Sequence, residues 1–233
     1  GTGVMGGRMC RNLAKKIHVP VIAFDMDMNK VAALSDIKVE AAPSIEALVN
    51  RTEIILMCLP GEPQVRAVCT QQGGILEFVR SGQTIIDMTT ATADVEREMV
   101  KLFAEKSVDY ADAPVARGVT AAENGTLSIM VGATTEVFDR IKPVLETMGT
   151  DITLCGDVGS GQVVKLMNNM IMVMNVSALA EALAIGTRAG VDAELLFKAL
   201  SHGSADSFAL REHGIQYMAK GYFPENVFPV TYS

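Results

Sequence analysis

The sequence predicts an α/β protein: a doubly wound, mostly parallel sheet followed by an all-helical second domain. Three observations carry this. Short apolar runs alternate with helical patterns from the start of the chain to about residue 155. A glycine-rich turn opens the first helix, and an acid closes the strand after it. From Gln162 onward no strand pattern occurs, and apolar residues recur only at helical steps.

The chain opens with Gly1-Thr2-Gly3-Val4-Met5-Gly6, which fits G-x-G-x-x-G. A helix is predicted over Arg8–Lys16 and a strand over Val19–Phe24, ending in Asp25-Met26-Asp27. Asp25 lies 19 residues after Gly6, the spacing of a dinucleotide fingerprint. Glycines let the backbone approach a pyrophosphate, and the helix N-terminus adds free N–H groups and about half a positive charge. Gly1, Gly3, Val4, Met5 and Gly6 are therefore candidate cofactor-binding residues. Asp25 can accept from ribose hydroxyls and would repel a 2′-phosphate, which predicts NAD over NADP. The fold is thus a Rossmann-type one. Its usual first strand is central, and none precedes Gly1 here, so the sequence reads as lacking part of that domain.

Further along, helices are expected at Lys30–Ser35 and Ser44–Asn50, the latter with Ser44 as N-cap, and a short strand at Lys38–Ala41. Ile54–Pro60 is continuously apolar, as a buried parallel strand is. A helix at Pro63–Cys69, a strand at Thr84–Met88 and a helix at Ala93–Lys106 follow. Ligands of such folds sit at the carboxyl ends of the strands, so the loops after Phe24, Cys58 and Met88 should line the site. Thr89 and Thr90 can bond a ribose or amide, or cap the next helix. Asp112–Gly118 is a shaped loop in which backbone N–H groups and Arg117 can hold an anion; the alternative is a surface arginine in a turn. Gly125–Gly132 reads as an alternating strand, Glu136–Met148 as a helix and Asp151–Cys155 as a last strand. The glycine-rich joint Gly156–Gly161 suggests a domain boundary, giving residues 1–157 and 158–233. In the second part, helices are expected at Gln162–Ala189, Asp192–Leu200 and Ser207–Ala219. The closing stretch Phe228–Ser233 brings no further element, so this domain reads as truncated.

The Gln162–Ala189 helix carries the most pointed chemistry. Val164, Met167, Ile171 and Met174 recur at three- and four-residue steps. Lys165 and Asn169 are four apart and share a face, with Asn168 beside them. A lysine can exchange a proton, and amides can orient the oxygen that receives it. The alternative is a solvated lysine with locally bonded asparagines.

Bulk properties narrow the function. The formal net charge is −7 and no basic stripe occurs, which argues against nucleic acid as a partner. Fourteen methionines and no tryptophan imply an aliphatic, methionine-filled core. Cys10, Cys58, Cys69 and Cys155 are far apart and read as free thiols. His18, His202 and His213 do not cluster, so no metal is expected. No signal peptide is visible, and Lys165, Asn168, Asn169, Asn175 and Glu181 interrupt the longest apolar stretch, so no run is expected to span a bilayer. The expectation is a soluble, cytoplasmic protein.

The order of motifs resembles that of the β-hydroxyacid dehydrogenase family, which includes 3-hydroxyisobutyrate dehydrogenase and tartronate semialdehyde reductase. The resemblance rests on the glycine fingerprint, Leu59-Pro60, Asp87-Met88-Thr89-Thr90, Asp112-Ala113-Pro114-Val115, Gly125-Thr126-Leu127, and Gly161 followed by Lys165 and Asn168-Asn169. It implies that Lys165 is catalytic and that Asn169 orients the substrate. It implies that Ala116, Arg117, Gly118 and Asn168 contact a small anionic hydroxyacid, that Leu59, Pro60 and Thr90 touch NAD, and that the protein is a homodimer or homotetramer. Many members carry Ser-Gly-Gly where this chain has Ala116-Arg117-Gly118. An arginine there resembles sulfolactaldehyde reductase, and can equally serve a longer carboxylate. The family's C-terminal remainder is also not present after Ser233. A non-catalytic NAD-binding interaction protein and an imine reductase share the scaffold; retention of Lys165 argues against both.

Overall fold

A computed structural model describes residues 1–222; the expectation for Phe228–Ser233 lies outside them. The chain divides into two compact units, Gly1–Lys165 and Leu166–Ser233.

In the first unit, β1 (Val21–Ala23) and β2 (Val39–Ala41) pair in parallel as a two-stranded sheet. A six-stranded sheet holds β3 (Ile54–Met57), β4 (Thr84–Asp87), β5 (Asp109–Asp112), β6 (Val115–Ala116), β7 (Leu127–Gly132) and β8 (Gly149–Gly156). β3, β4 and β5 are parallel neighbours; β7 pairs antiparallel with both β5 and β6, and parallel with β8. The connecting helices are α1 (Val4–Lys16), α2 (Met28–Ala32), α3 (Ile45–Val49), α4 (Glu62–Thr70), α5 (Ile75–Phe78), α6 (Ala93–Ala104), α7 (Gly118–Asn124) and α8 (Thr135–Leu145). Ser44 caps α3 as expected, accepting from the Ala47 amide at 3.1 Å.

Alternate strand residues feed opposite layers. Ile86 and Ala111 pack with Met9, Ile129 and Ile141, whereas Ile85 and Tyr110 pack with Val65, Met99 and Phe103. Both faces of β4 are therefore buried, which is why its sequence is a continuous apolar run and why helices cover both sides.

Three elements depart from the sequence reading. Asp109–Asp112 is a full parallel strand, hidden in the sequence by an acid at each end. The loop expected at Asp112–Gly118 contains β6, and α7 begins at Gly118. In the second unit, the single helix expected at Ser207–Ala219 is a π-helical turn, Leu210–Ile215, followed by a 3₁₀ turn, Met218–Lys220. Gly214 lies within the wide turn, where a Cβ would come 3.1 Å from Leu210 Cδ1 and 3.4 Å from Phe197 Cδ2.

The second unit is built on α9 (Ser160–Arg188), which enters it at Leu166, and α10 (Ala193–Leu200). Asp192 caps α10 through the Leu195 amide at 2.9 Å. Leu179, Phe197, Ala209 and Leu210 form its core, flanked by Val176 and Leu183. By contrast Met167, Met170, Ile171 and Met174 are exposed. At 29 residues α9 is long and apolar enough to cross a bilayer, which corrects the expectation that no run is.

Candidate active site

The opening turn shows a different constraint at each glycine. A Cβ on Gly1 would lie 2.7 Å from the Cys58 carbonyl oxygen, and one on Gly6 would lie 2.1 Å from the Gly1 carbonyl oxygen. Both positions are closed by backbone. Gly3, the N-cap of α1, has nothing within 4 Å of its Cβ position. An open, side-chain-free edge at a helix N-terminus is what a pyrophosphate needs. The Asp25 carboxylate accepts from the Thr2 amide at 2.7 Å and the Asp27 amide at 2.9 Å. Partial burial would raise its pKa, but these amide bonds hold it below the ordinary carboxylate value. The turn and its acid thus fit a dinucleotide. Gly3→Ala meets no clash and is expected to lower the melting temperature by only about 2–4 °C, the cost of the poorer N-cap. It should weaken dinucleotide binding by about ten- to a hundredfold, the worth of one charge-assisted hydrogen bond; a fluorescence titration checks this.

The loops after β3 and β4 are tied together. Leu59 N donates to Thr89 Oγ1 at 3.0 Å, and Thr89 N donates to Asp87 Oδ1 at 2.8 Å. Thr89 is buried and Thr90 half-buried. Neither caps α6, whose N-cap is Thr92; the Thr92 hydroxyl donates to Glu62 Oε2 at 2.8 Å. Pro60 is exposed at the end of the β3 loop, beside half-buried Leu59.

The start of α9 rests on a buried polar cluster that the sequence reading missed. Asp112, at the end of β5, accepts from Gly159 N at 2.7 Å and Gln162 N at 2.8 Å. This carboxylate lies in a slot between two glycines: Cβ atoms on Gly132 and Gly161 would come within 2.1 and 2.7 Å of its oxygens. The Gln162 side chain donates to Thr89 O at 2.7 Å and Glu96 Oε1 at 2.9 Å, and accepts from Ala91 N at 3.0 Å. Tyr110 Oη lies 2.8 Å from Glu96 Oε2 and 3.3 Å from Asp87 Oδ2. Asp87, Glu96, Asp112 and Gln162 are all fully buried. Burial, and for Glu96 the neighbouring Asp87, pushes the carboxyls up: Asp87 and Asp112 to about 6 and Glu96 to about 9.

Lys165 follows one turn later and is half-buried. Lost hydration brings its pKa down to about 8. Among the described residues no hydrogen bond or ion pair engages it. On the same helix Asn168 is exposed and Asn169 half-buried, with Asn168 Nδ2 donating to Asn169 Oδ1 at 3.3 Å. Val4 and Met5 form the first turn of α1; Val4 is exposed, while Met5 packs toward the core.

Arg117, read from the sequence as an anion ligand or a surface arginine in a turn, is engaged within the chain. Its guanidinium donates to Asp151 Oδ2 at 2.6 Å, Thr126 O at 3.1 Å and Thr150 Oγ1 at 3.2 Å. Arg117 and Gly118 both take left-handed backbone, φ +83° and +73°. That conformation suits glycine, and in a non-glycine residue it costs about 1–3 kcal/mol. Ala116 is buried in β6, opposite Ser128.

Residues 1–156 match the family model described as the NAD binding domain of 6-phosphogluconate dehydrogenase, and residues 159–231 match that of NAD-binding of NADP-dependent 3-hydroxyisobutyrate dehydrogenase. The chain belongs to the β-hydroxyacid dehydrogenase family. It is 37% identical to 2-(hydroxymethyl)glutarate dehydrogenase of Eubacterium barkeri, over 96% of this chain and 74% of that protein. It is 35% identical to 2-hydroxy-3-oxopropionate reductase of Escherichia coli K12, over 96% of this chain and 76% of that protein. The structure of Mycobacterium tuberculosis 3-hydroxyisobutyrate dehydrogenase with L-serine superposes with a TM-score of 0.84 at 30% identity, over 91% of this chain and 72% of that one. As a member of this family the chain is an NAD(P)-dependent oxidoreductase of the β-hydroxyacid dehydrogenase type.

Proposed function

We propose that the chain is an NAD-preferring dehydrogenase of a small β-hydroxyacid, with Lys165 as the group that exchanges the hydroxyl proton. The observation that carries this is a half-buried lysine with a pKa near 8 and no partner among the described residues, one turn past a rigidly held helix start. An amine poised near neutrality can take the proton in oxidation and return it in reduction. Bound dinucleotide would supply the hydride acceptor or donor. Gly1, Gly3 and Gly6 with the first turn of α1 would hold its pyrophosphate and Asp25 its adenosine ribose, with Leu59, Pro60 and Thr90 alongside. The Asp25 carboxylate, kept anionic by two amides, supports NAD over NADP. Asn169, four residues after Lys165, would orient the reacting oxygen; Asn168 and the 116–118 backbone would serve the acid group.

The relatives' names share a small acid with an oxygen function on the carbon β to the carboxylate, which supports that substrate class. The Arg117–Asp151 bridge removes support from the sulfonate reading, because the guanidinium already has an anion. The exposed apolar residues of α9 support a homo-oligomer whose second copy covers them, rather than a bilayer.

Turnover of 3-hydroxyisobutyrate, glycerate, 2-(hydroxymethyl)glutarate and a dihydroxypropane sulfonate, each with NAD and NADP, tests the reading. Oxidation of one or more carboxylic acids, faster with NAD, is expected. Tight NAD binding without turnover of any would overturn it in favour of a non-catalytic protein.

A further inference from the structure

The cluster beneath α9 has a proton count that fixes its chemistry. The Gln162 carboxamide uses both hydrogens, on Thr89 O and Glu96 Oε1, and its oxygen receives Ala91 N. Glu96 Oε1 is thus an acceptor. Tyr110 Oη has one hydrogen but faces two carboxyl groups, at 2.8 Å and 3.3 Å. One of the two carboxyls must carry a proton for both contacts to be hydrogen bonds. Asp87 receives both the amide and the side chain of Thr89, two donors that support its anion, whereas Glu96 receives one, the Gln162 carboxamide. The consistent wiring runs from Glu96 Oε2–H to Tyr110 Oη, and from Tyr110 Oη–H to Asp87. Stacking of Tyr110 on Phe103, with ring centroids 5.4 Å apart, holds the phenol in line.

We infer that protonated Glu96 and the Gln162 carboxamide form a latch that fixes the start of α9 to the loop after β4, making Gln162 a positioning residue for Lys165. The inference rests on Lys165 being the proton-exchanging group. Two strands define the helix start: Asp112 of β5 holds its backbone amides, and the β4 loop holds the Gln162 side chain. Lys165 is three residues further along the same rigid helix. Small misplacement of a reacting group costs about a hundredfold in rate, so a loosened first turn should be visible in turnover.

The test compares Glu96→Gln, Glu96→Leu, Gln162→Met and Lys165→Met for kcat, KM, dinucleotide affinity and the pH dependence of kcat. Glu96→Gln keeps the shape of the protonated acid, with an N–H for Tyr110 and an oxygen for Gln162. It should retain kcat within about threefold, since every hydrogen bond survives. Glu96→Leu and Gln162→Met should lose about a hundredfold in kcat, with dinucleotide affinity retained and the apparent pKa of Lys165 displaced. If Gln162→Met does not fold, Gln162→Glu is read in its place, and its kcat for oxidation should fall relative to wild type as pH rises and the new carboxyl ionises. Asp87, Asp112, Tyr110 and Cys69 are the other titratable groups near Glu96, and none is altered. Wild-type kcat and pH profile in the Gln162 variant, or equal losses in Glu96→Gln and Glu96→Leu, would overturn the latch while Lys165→Met remained inactive. Wild-type turnover in Lys165→Met would instead overturn the reading on which it rests.

Discussion

Lys165→Ala is expected to lower kcat by about 10²–10⁴, the usual worth of a general acid–base group, with dinucleotide affinity unchanged. The pH profile gives the stronger discrimination. Hydroxyl oxidation needs the neutral amine, so wild-type kcat should rise with pH and level off above about 8. Carbonyl reduction uses the ammonium, so the reverse rate should fall through the same pH. Both limbs should vanish in the variant. The same shift has a consequence for stability. The folded pKa lies below that of a free lysine, so the folded state holds the proton less tightly than the unfolded chain. Between about pH 8 and the ordinary lysine pKa near 10.4, stability from this group therefore rises with pH. At pH 7 the folded protein bears the full cost of a poorly hydrated ammonium, and the alanine variant should melt at a temperature no lower than wild type. A variant that kept turnover and both pH limbs would assign the proton transfer to another group.

The same helix shows what can and cannot be read from a sequence. The opening turn was legible because its requirements are local: Gly3 must leave an edge open, Gly6 must meet Gly1, and an acid must end the next strand, all within 25 residues. β3 and β4 were legible because burial on both faces writes a continuous apolar run. β5 was not, because its terminal acids are satisfied by remote partners: Asp109 by Arg140 and Asp112 by the amides of α9. Glu96 and Gln162 were invisible for a similar reason. In sequence each reads as a polar residue in the first turn of a helix, where solvent exposure is the ordinary outcome. They are 66 residues apart, and only folding brings them to 2.9 Å. Arg117 shows the limit from the other side. Its charge and its place in a shaped loop suggest a ligand, and nothing in the sequence signals its pairing with Asp151, 34 residues later.

Gly161→Ala should destabilise the protein strongly, although alanine is the better helix former by about 1 kcal/mol. Its backbone is not in the left-handed region, so the effect isolates packing. The added Cβ would lie 2.3 Å from Met130 O, 2.7 Å from Asp112 Oδ2 and 3.0 Å from Gly132 N. None of these is the end of a flexible chain: two are backbone atoms of β7, and the third is a carboxylate pinned by α9 amides. Relief requires α9 to lift from the sheet, which strains packing by about 1–3 kcal/mol and weakens charge-assisted bonds worth about 1.5–3 kcal/mol each. The loss outweighs the helix-propensity gain, leaving a net cost of about 3 kcal/mol. For a chain of this size that lowers the melting temperature by roughly 10 °C. Any folded fraction should also lose kcat, because Lys165 moves with the turn. Gly132→Ala presses on the other oxygen of the same carboxylate, so the double variant should cost less than the sum of the two singles. Additive losses, or a melting temperature for Gly161→Ala within a degree of wild type, would mean that the Asp112 slot does not hold the helix.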